Sequence, residues 1–160
     1  MIGFAIYSVS AAGGSLGISP MPGRTRHYAA DWQHLMNWAP DLVLSMVPTE
    51  ELARKGAASL GTDLGDAGIA WCHLPVPDFG VPDATLDARW PEVEASAVKV
   101  LQARGKVLIH CHGGCGRSGM AALRLLIATG EAPDAALARL RAARPCAVET
   151  DAQMAWATAR

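Results

Sequence analysis

KVLIHCHGGCGRSGM, residues 106–120, reads as an apolar strand over Val107–Ile109, a loop carrying Gly113, Gly114 and Gly116, and a helix that opens at Arg117. A strand that runs through a glycine-rich turn into a helix N-terminus builds an anion socket. Consecutive amide N–H groups face one point there, and the helix dipole adds positive potential. Cys111 falls at the floor of that socket, where a field that draws in an anion also favours thiolate over thiol. Arg117, separated from it by five residues in a C-x5-R pattern, offers a planar fork of donors that takes two oxygens of a phosphoryl group.

Upstream of this stretch, Asp83 follows Pro82 and suits a helix cap. The helix carries Leu86, Trp90, Val93, Ala97, Val98 and Leu101 on one face to about Ala103, and Gly105 ends it. Pro91 either kinks this helix or marks a start near Trp90. Further back, strands are expected over Phe4–Val9, Asp41–Val47 and Ile69–Leu74, with a helix over Asp31–Trp38 and another capped by Thr49. Ser10–Gly23, rich in Gly, Ser and Pro, reads as a loop with Gly13 and Gly14 as its turn, and residues 61–68 break the pattern. Downstream, helices are expected over Arg117–Thr129, Pro133–Arg144 and Thr150–Ala159. Alternating strands and helices predict an α/β fold: a largely parallel central sheet of about four to five strands with helices on both faces. In such a sheet a ligand sits outside the carboxyl ends of the strands, which is where Cys111 falls.

The 160 residues, about half of them hydrophobic, supply one domain, residues 1–160, with ample core. A net charge of -1 without runs of like charge gives no reason to expect a nucleic-acid partner. Met1–Ala12 is apolar, but it lacks a basic start and is interrupted by Gly3 and Ser8, so it reads as an opening strand rather than a signal peptide. No run approaches the ~18 apolar residues of a membrane span. Four cysteines fit a reducing compartment better than a disulfide framework, and the expected location is the cytoplasm.

His110, Cys111, Arg117 and Ser118 match HC-x5-R-[ST], and this stretch resembles the signature loop of the cysteine-dependent protein tyrosine and dual-specificity phosphatases. Its Gly-Gly-x-Gly-Arg-Ser arrangement is most similar to the kinase-associated phosphatase branch, a likeness that extends from about Gly17 to Trp156. The resemblance implies a phosphatase-like fold and hydrolysis of a phosphoprotein, at phosphotyrosine and also at phosphoserine or phosphothreonine, with no metal or organic cofactor. It implies catalytic roles for Cys111, Arg117, Asp78 and Ser118, and contacts to the phosphoryl group from His112, Gly113, Gly114, Cys115 and Gly116 as well as Arg117.

Mechanism also demands an acid, because a thiolate that takes a phosphoryl group leaves an alkoxide or phenoxide to be protonated. Asp78, in the flexible segment PVPDFGVP of residues 75–82, looks like the family's general acid, four residues before a proline. Ser118, by the resemblance, hydrogen-bonds the sulfur and helps it leave, or it simply caps the helix. His110 is expected to orient the loop from beneath. Residues 148–153, VETDAQ, resemble the family's glutamine loop, with Gln153 and Thr150 matching and Glu149 standing where the first Gln would be. Gln153 and Glu149 are therefore candidates to position the attacking water, although a carboxylate at Glu149 would equally repel a phosphocysteine. Cys115 and Cys72 are candidates to trap an oxidised Cys111 as a disulfide, or are ordinary small residues. His112 is the only loop position able to add charge, which argues mildly for a phosphoprotein over a phosphoinositide.

Three other classes compete. Cys72, His73, His110, Cys111, His112 and Cys115 are all possible zinc ligands, but a structural zinc site has no use for three loop glycines before Arg-Ser. A phosphopeptide-binding pseudophosphatase would keep the socket without turnover. A sulfurtransferase or an arsenate reductase would use the same loop cysteine for another acceptor.

Overall fold

The computed structural model describes residues 3–159; Met1 and Ile2, the first part of the apolar opening segment, and Arg160 lie outside them. The described elements follow in the order β1 (Tyr7–Ala11), β2 (Gly14–Ser19), α1 (Tyr28–Trp38), β3 (Leu42–Ser45), α2 (Thr49–Arg54) and α3 (Leu60–Asp66). They continue with β4 (Ala70–His73), α4 (Ala84–Gln102), β5 (Lys106–His110), α5 (Gly116–Ala128), α6 (Pro133–Ala143) and α7 (Asp151–Thr158). The five strands form one sheet in the order β1-β2-β5-β3-β4, in which only β1 is antiparallel to its neighbour. In β5, Val107, Leu108 and Ile109 are each 0% exposed. Successive strand residues point to opposite faces, so burial of all three means that both faces are covered. Helices α4 and α5 pack on β2 and β5, α6 on β1, and α3 on β4.

The mixed, mostly parallel sheet agrees with the expected architecture, but four elements differ from their sequence reading. Residues 14–19 form β2 instead of loop, in a hairpin whose turn uses positive φ at Ala12 and Gly13. Its glycines answer to packing and not to turns. A Cβ at Gly14 would stand 2.8 Å from Leu101 O, and one at Gly17 would stand 2.9 Å from Ile6 Cγ2 and 3.0 Å from the Trp38 ring. Close packing thus gave a strand the composition of a loop. The same holds at α3, where a Cβ on Gly61 would press on the Trp71 ring at 2.5 Å. Pro48 is the N-cap of α2, with its carbonyl accepting from Glu51 N and Leu52 N, and Thr49 is the first helical residue.

Helix α4 runs as one element from Ala84, with Asp83 Oδ1 accepting from Leu86 N at 2.8 Å. Pro91 neither starts nor splits it. It lies on the exposed side, where the Asp87 carbonyl that loses its donor meets water.

Strands β3, β4 and β5 all run in one direction, so the segments that leave them gather at one edge of the sheet. These are Met46–Pro48 leading into α2, the 74–82 segment, and the 111–115 loop. Helix α7 comes to the same edge, held by a capping box in which Thr150 Oγ1 accepts from Gln153 N and Gln153 Oε1 accepts from Thr150 N.

Candidate functional site

The 111–115 loop is shaped by where its carbonyls go. His112 O accepts from Met21 N at 3.0 Å, Gly113 O and Gly114 O accept from the Arg144 guanidinium at 2.9 and 3.1 Å, and Cys115 O accepts from Gly119 N and Val148 N. Across a trans peptide the N–H points opposite to the C=O, so the following amides turn away from these partners and toward the loop's interior. Among the described residues, no protein acceptor takes the amide N–H of any residue from His112 to Ser118. Buried amides without partners are rare, and a row of them at a helix N-terminus is an anion site in waiting. Gly114 is required here twice over. Its φ is +73°, and a Cβ would meet Pro20 N and the Ser19 carbonyl carbon at 2.7 Å.

Cys111 leaves β5 with 3% exposure, and its Sγ lies 3.2 Å from Ser118 Oγ in the first turn of α5. Beneath it, His110 Nδ1 lies 3.1 Å from Cys111 O, Nε2 lies 2.5 Å from Ser45 Oγ, and Trp71 Nε1 donates to that same Oγ at 2.8 Å. A carbonyl only accepts, so Nδ1 carries the proton, Nε2 accepts from the Ser45 hydroxyl, and the imidazole is neutral. Burial pushes the His110 pKa down to about 4, with the Arg117 charge adding to it and the bond to Cys111 O opposing.

A folded-state pKa below the ordinary 6.5 means the unfolded chain takes the proton first as pH falls. Stability should therefore be complete above about pH 6.5 and decline toward pH 4. Urea unfolding of the wild type and of His110→Asn, whose amide keeps the Nδ1-type donor, should show the steeper decline in the wild type. Parallel pH profiles would count against the buried neutral imidazole.

Arg117 is 2% exposed and points from α5 across to α2, where Nη1 donates to Glu51 Oε1 at 3.0 Å and Nη2 to Oε2 at 2.9 Å. Nη1 also donates to Val76 O at 2.9 Å. Burial pushes the Glu51 carboxyl up, but the bonds and charge of Arg117 outweigh that and leave it below its ordinary value. Arg117 responds in the opposite sense: burial lowers its pKa, and Glu51 together with Cys111 raises it beyond the usual value. Glu51, unremarked in the sequence, thus fixes the arginine that the sequence singled out. Asp78 Oδ1 lies 3.3 Å from Arg117 Nη2, on an exposed turn where it accepts from Phe79 N. Asp78, Phe79, Cys111, His112, Arg117 and Glu149 line a single cleft of about 130 Å³, which Gly113 and Cys115 complete.

Two expectations about neighbouring residues change. Gln153 is fully buried with both ends of its amide in use: Oε1 accepts from Glu149 N and Thr150 N, and Nε2 donates to Gly80 O at 3.2 Å. It joins the start of α7 to the segment that carries Asp78, and leaves Glu149 alone of the pair facing the cleft. Cys115 does not stand ready for Cys111, because it is disulfide-bonded to Cys146, a pairing the sequence reading did not include. Cys72 is no nearer. It pairs with Leu44, which pairs with Ile109, so two strand spacings of about 4.8 Å each separate it from β5, beyond disulfide reach of Cys111. No three His, Cys, Asp or Glu side chains among the described residues group to hold a metal ion.

Residues 16–137 match the family described as cyclin-dependent kinase inhibitor 3 (CDKN3). The cyclin-dependent kinase inhibitor 3 of Mus musculus is 32% identical over 135 residues, covering 81% of this chain and 63% of its own length. The chain therefore spans somewhat less than two thirds of that relative. Protein tyrosine phosphatase domain-containing protein 1 of Bos taurus is 36% identical over 90 residues, 56% of this chain and 11% of its own. Among solved structures, a kinase associated phosphatase with its catalytic-site cysteine replaced by serine superposes with a TM-score of 0.84 at 25% identity, covering 99% of this chain and 94% of its own. The active form of Tk-PTP gives 0.72 at 29% identity, over 94% and 92% of the two chains.

Proposed function

This chain belongs to the cyclin-dependent kinase inhibitor 3 family of the protein tyrosine and dual-specificity phosphatases, and we propose that it hydrolyses phosphotyrosine, and also phosphoserine and phosphothreonine, in protein substrates through a phosphocysteine intermediate. The observation that carries this reading is the convergence of Cys111 Sγ, the Arg117 guanidinium, Asp78 and a row of partnerless amides on one cleft.

The phosphoryl oxygens take up the N–H groups of His112–Arg117, while Arg117, held flat by Glu51, fixes the group for in-line attack. Cys111 attacks as thiolate; the S–P bond forms as the P–O bond breaks, and Asp78 gives its proton to the departing oxygen. Water then attacks phosphorus, Asp78 takes a proton from it, and the S–P bond breaks. Ser118 Oγ, 3.2 Å from the sulfur, donates to the thiolate as it leaves. No metal or organic cofactor takes part in these steps. Phe79, 60% exposed beside Asp78, gives the cleft an apolar rim against which a phenyl ring would rest.

The test is turnover of p-nitrophenyl phosphate and of phosphotyrosine and phosphothreonine peptides in EDTA. Metal-independent hydrolysis is expected. A reduced, folded protein that binds the peptides without turning them over would favour the binding-only reading, with Glu149 as the residue to change next. Asp78→Asn should lower kcat by about 10²–10⁴ for a leaving group of high pKa and much less for p-nitrophenol, which leaves without help. Equal losses on both substrates would remove Asp78 from the acid role.

A further inference from the structure

Beside the catalytic cleft the surface continues into a larger one whose charge the reaction does not use. Its near part, about 400 Å³, is bounded by Glu51, Arg54, Lys55, Asp78 and His112, and so shares Asp78 and His112 with the catalytic cleft. Its far part, about 550 Å³, shares Arg54 and Lys55 with the near part and adds Arg24 and Arg26 from the β2–α1 connection. One groove thus runs from Cys111 to a cleft with four cations on its walls.

Those cations have no ion-pair partner among the described residues. Glu51, the acid between them and the catalytic loop, is committed to Arg117 through both oxygens. Among the described residues, none of the side chains of Arg24, Arg26, Arg54 and Lys55 forms an ion pair or a hydrogen bond, and all four are exposed. Four like charges on facing walls repel one another, and an anion seated between them would relieve that repulsion.

The two walls are also fixed relative to the catalytic loop. Met21 N donates to His112 O, which ties the connection carrying Arg24 to the loop itself. A Cβ at Gly113 would stand 3.6 Å from Arg24 Nη1, so this guanidinium borders both clefts. At the far end Gly23 and Gly56, both at positive φ, let the two walls touch, a Cβ at Gly23 falling 3.1 Å from Gly56 O. The field extends to the catalytic loop, since His112 is held below its ordinary pKa first by burial and then by Arg24 and Lys55.

We propose that the Arg24, Arg26, Arg54 and Lys55 cleft is a second anion subsite that takes a further phosphoryl group of the same phosphopeptide, so that the preferred substrate is a doubly phosphorylated segment. This rests on the phosphatase reading above. A peptide is favoured over a lipid headgroup because the only large hydrophobic side chains exposed among the described residues are Trp71 and Phe79, too few to seat the protein in a bilayer. Arginine predominates in the cleft, and its fork suits phosphate oxygens better than a single carboxylate.

The experiment uses phosphotyrosine peptides that carry a second phosphoserine one to four positions to either side, against the singly phosphorylated parent. The readout is the ratio of kcat/KM for each doubly phosphorylated peptide to its parent, taken within one protein. The wild type should favour at least one spacing by about tenfold or more, mainly through KM. In Arg26→Ala/Lys55→Ala and in Arg24→Ala/Arg54→Ala that ratio should fall toward unity, and in Arg26→Lys it should largely survive. A ratio near unity at every spacing in the wild type, or one that the paired substitutions leave intact, overturns the subsite. Vesicles containing a phosphoinositide and a soluble inositol polyphosphate form the other arms. A preference for either that exceeds the best peptide and is lost in the same variants would overturn the peptide as occupant. Calorimetric affinities of Cys111→Ser for the same peptides give the ratio without turnover, so the subsite is judged even if the phosphatase reading fails.

Discussion

Glu51→Ala should lower kcat/KM toward every phosphomonoester by about a hundredfold and should cost roughly 3–5 kcal/mol of folding free energy near neutral pH. Both effects come from Arg117. Its side chain is 2% exposed, so removing Glu51 leaves a buried guanidinium with Val76 O and the solvated Asp78 as its remaining partners. The nearest relief is for Arg117 to close on Asp78 from its present 3.3 Å. That rotates the fork away from the phosphoryl group and occupies the proposed acid in an ion pair, so orientation and proton transfer fail together. Glu51→Gln separates shape from charge. It keeps one acceptor but places an amide donor against the guanidinium, and should recover little of the loss. The Glu51 carboxyl lies below its ordinary pKa, so its contribution is complete above the ordinary carboxylate range and fades as pH falls through the lowered value. Urea unfolding near pH 7 and near pH 3 measures this, with the gap between wild type and Glu51→Ala expected to narrow in acid. A Glu51→Ala protein as stable and as active as the wild type would show that Arg117 does not depend on this pair.

Cys111→Ser should abolish hydrolysis, with a loss of about 10⁴-fold or more, while phosphopeptide binding persists. The separation follows from how the site is divided. On the proposed mechanism the sulfur makes the bond to phosphorus, whereas the affinity for the phosphoryl group is expected from the partnerless amides of residues 112–118 and from Arg117, none of which the substitution touches. Acid quenching of the wild type during turnover should leave phosphate on the peptide that contains Cys111, and the serine variant should carry none. Turnover in the variant within tenfold of the wild type would require a different nucleophile.

What could be read from the sequence divides by distance along the chain. The strand, loop and helix of residues 106–120 are local, and three glycines between an apolar run and Arg-Ser leave few other backbones possible. The capping signature Thr150-x-x-Gln153 is equally local, and its presence carries the reason that Gln153 is not a free amide in the cleft. Glu51 looks like any acid in a first helical turn, and its pairing with Arg117 spans 66 positions. Cys146 gave no sign of itself either, because it stands 31 positions beyond Cys115 and the chain between folds back through α5 and α6 before the two meet. Strand β2 was hidden for a third reason. Its glycines answer to Leu101 and Trp38 on other elements, and so resemble turn formers when those elements are not in view.

The Cys115–Cys146 bond, between positions 31 apart, closes a ring around α5 and α6 with the 111–115 loop at its junction. On a chain-entropy account such a ring removes roughly 3–4 kcal/mol from the freedom of the unfolded chain. A thiol reagent strong enough to open this ring would also keep Cys111 reduced, whereas an oxidant that maintains the ring would threaten the proposed nucleophile four residues away. Durability of the scaffold and, on the proposed mechanism, competence of the sulfur therefore pull the ambient thiol potential in opposite directions, and turnover is expected only in the window between them.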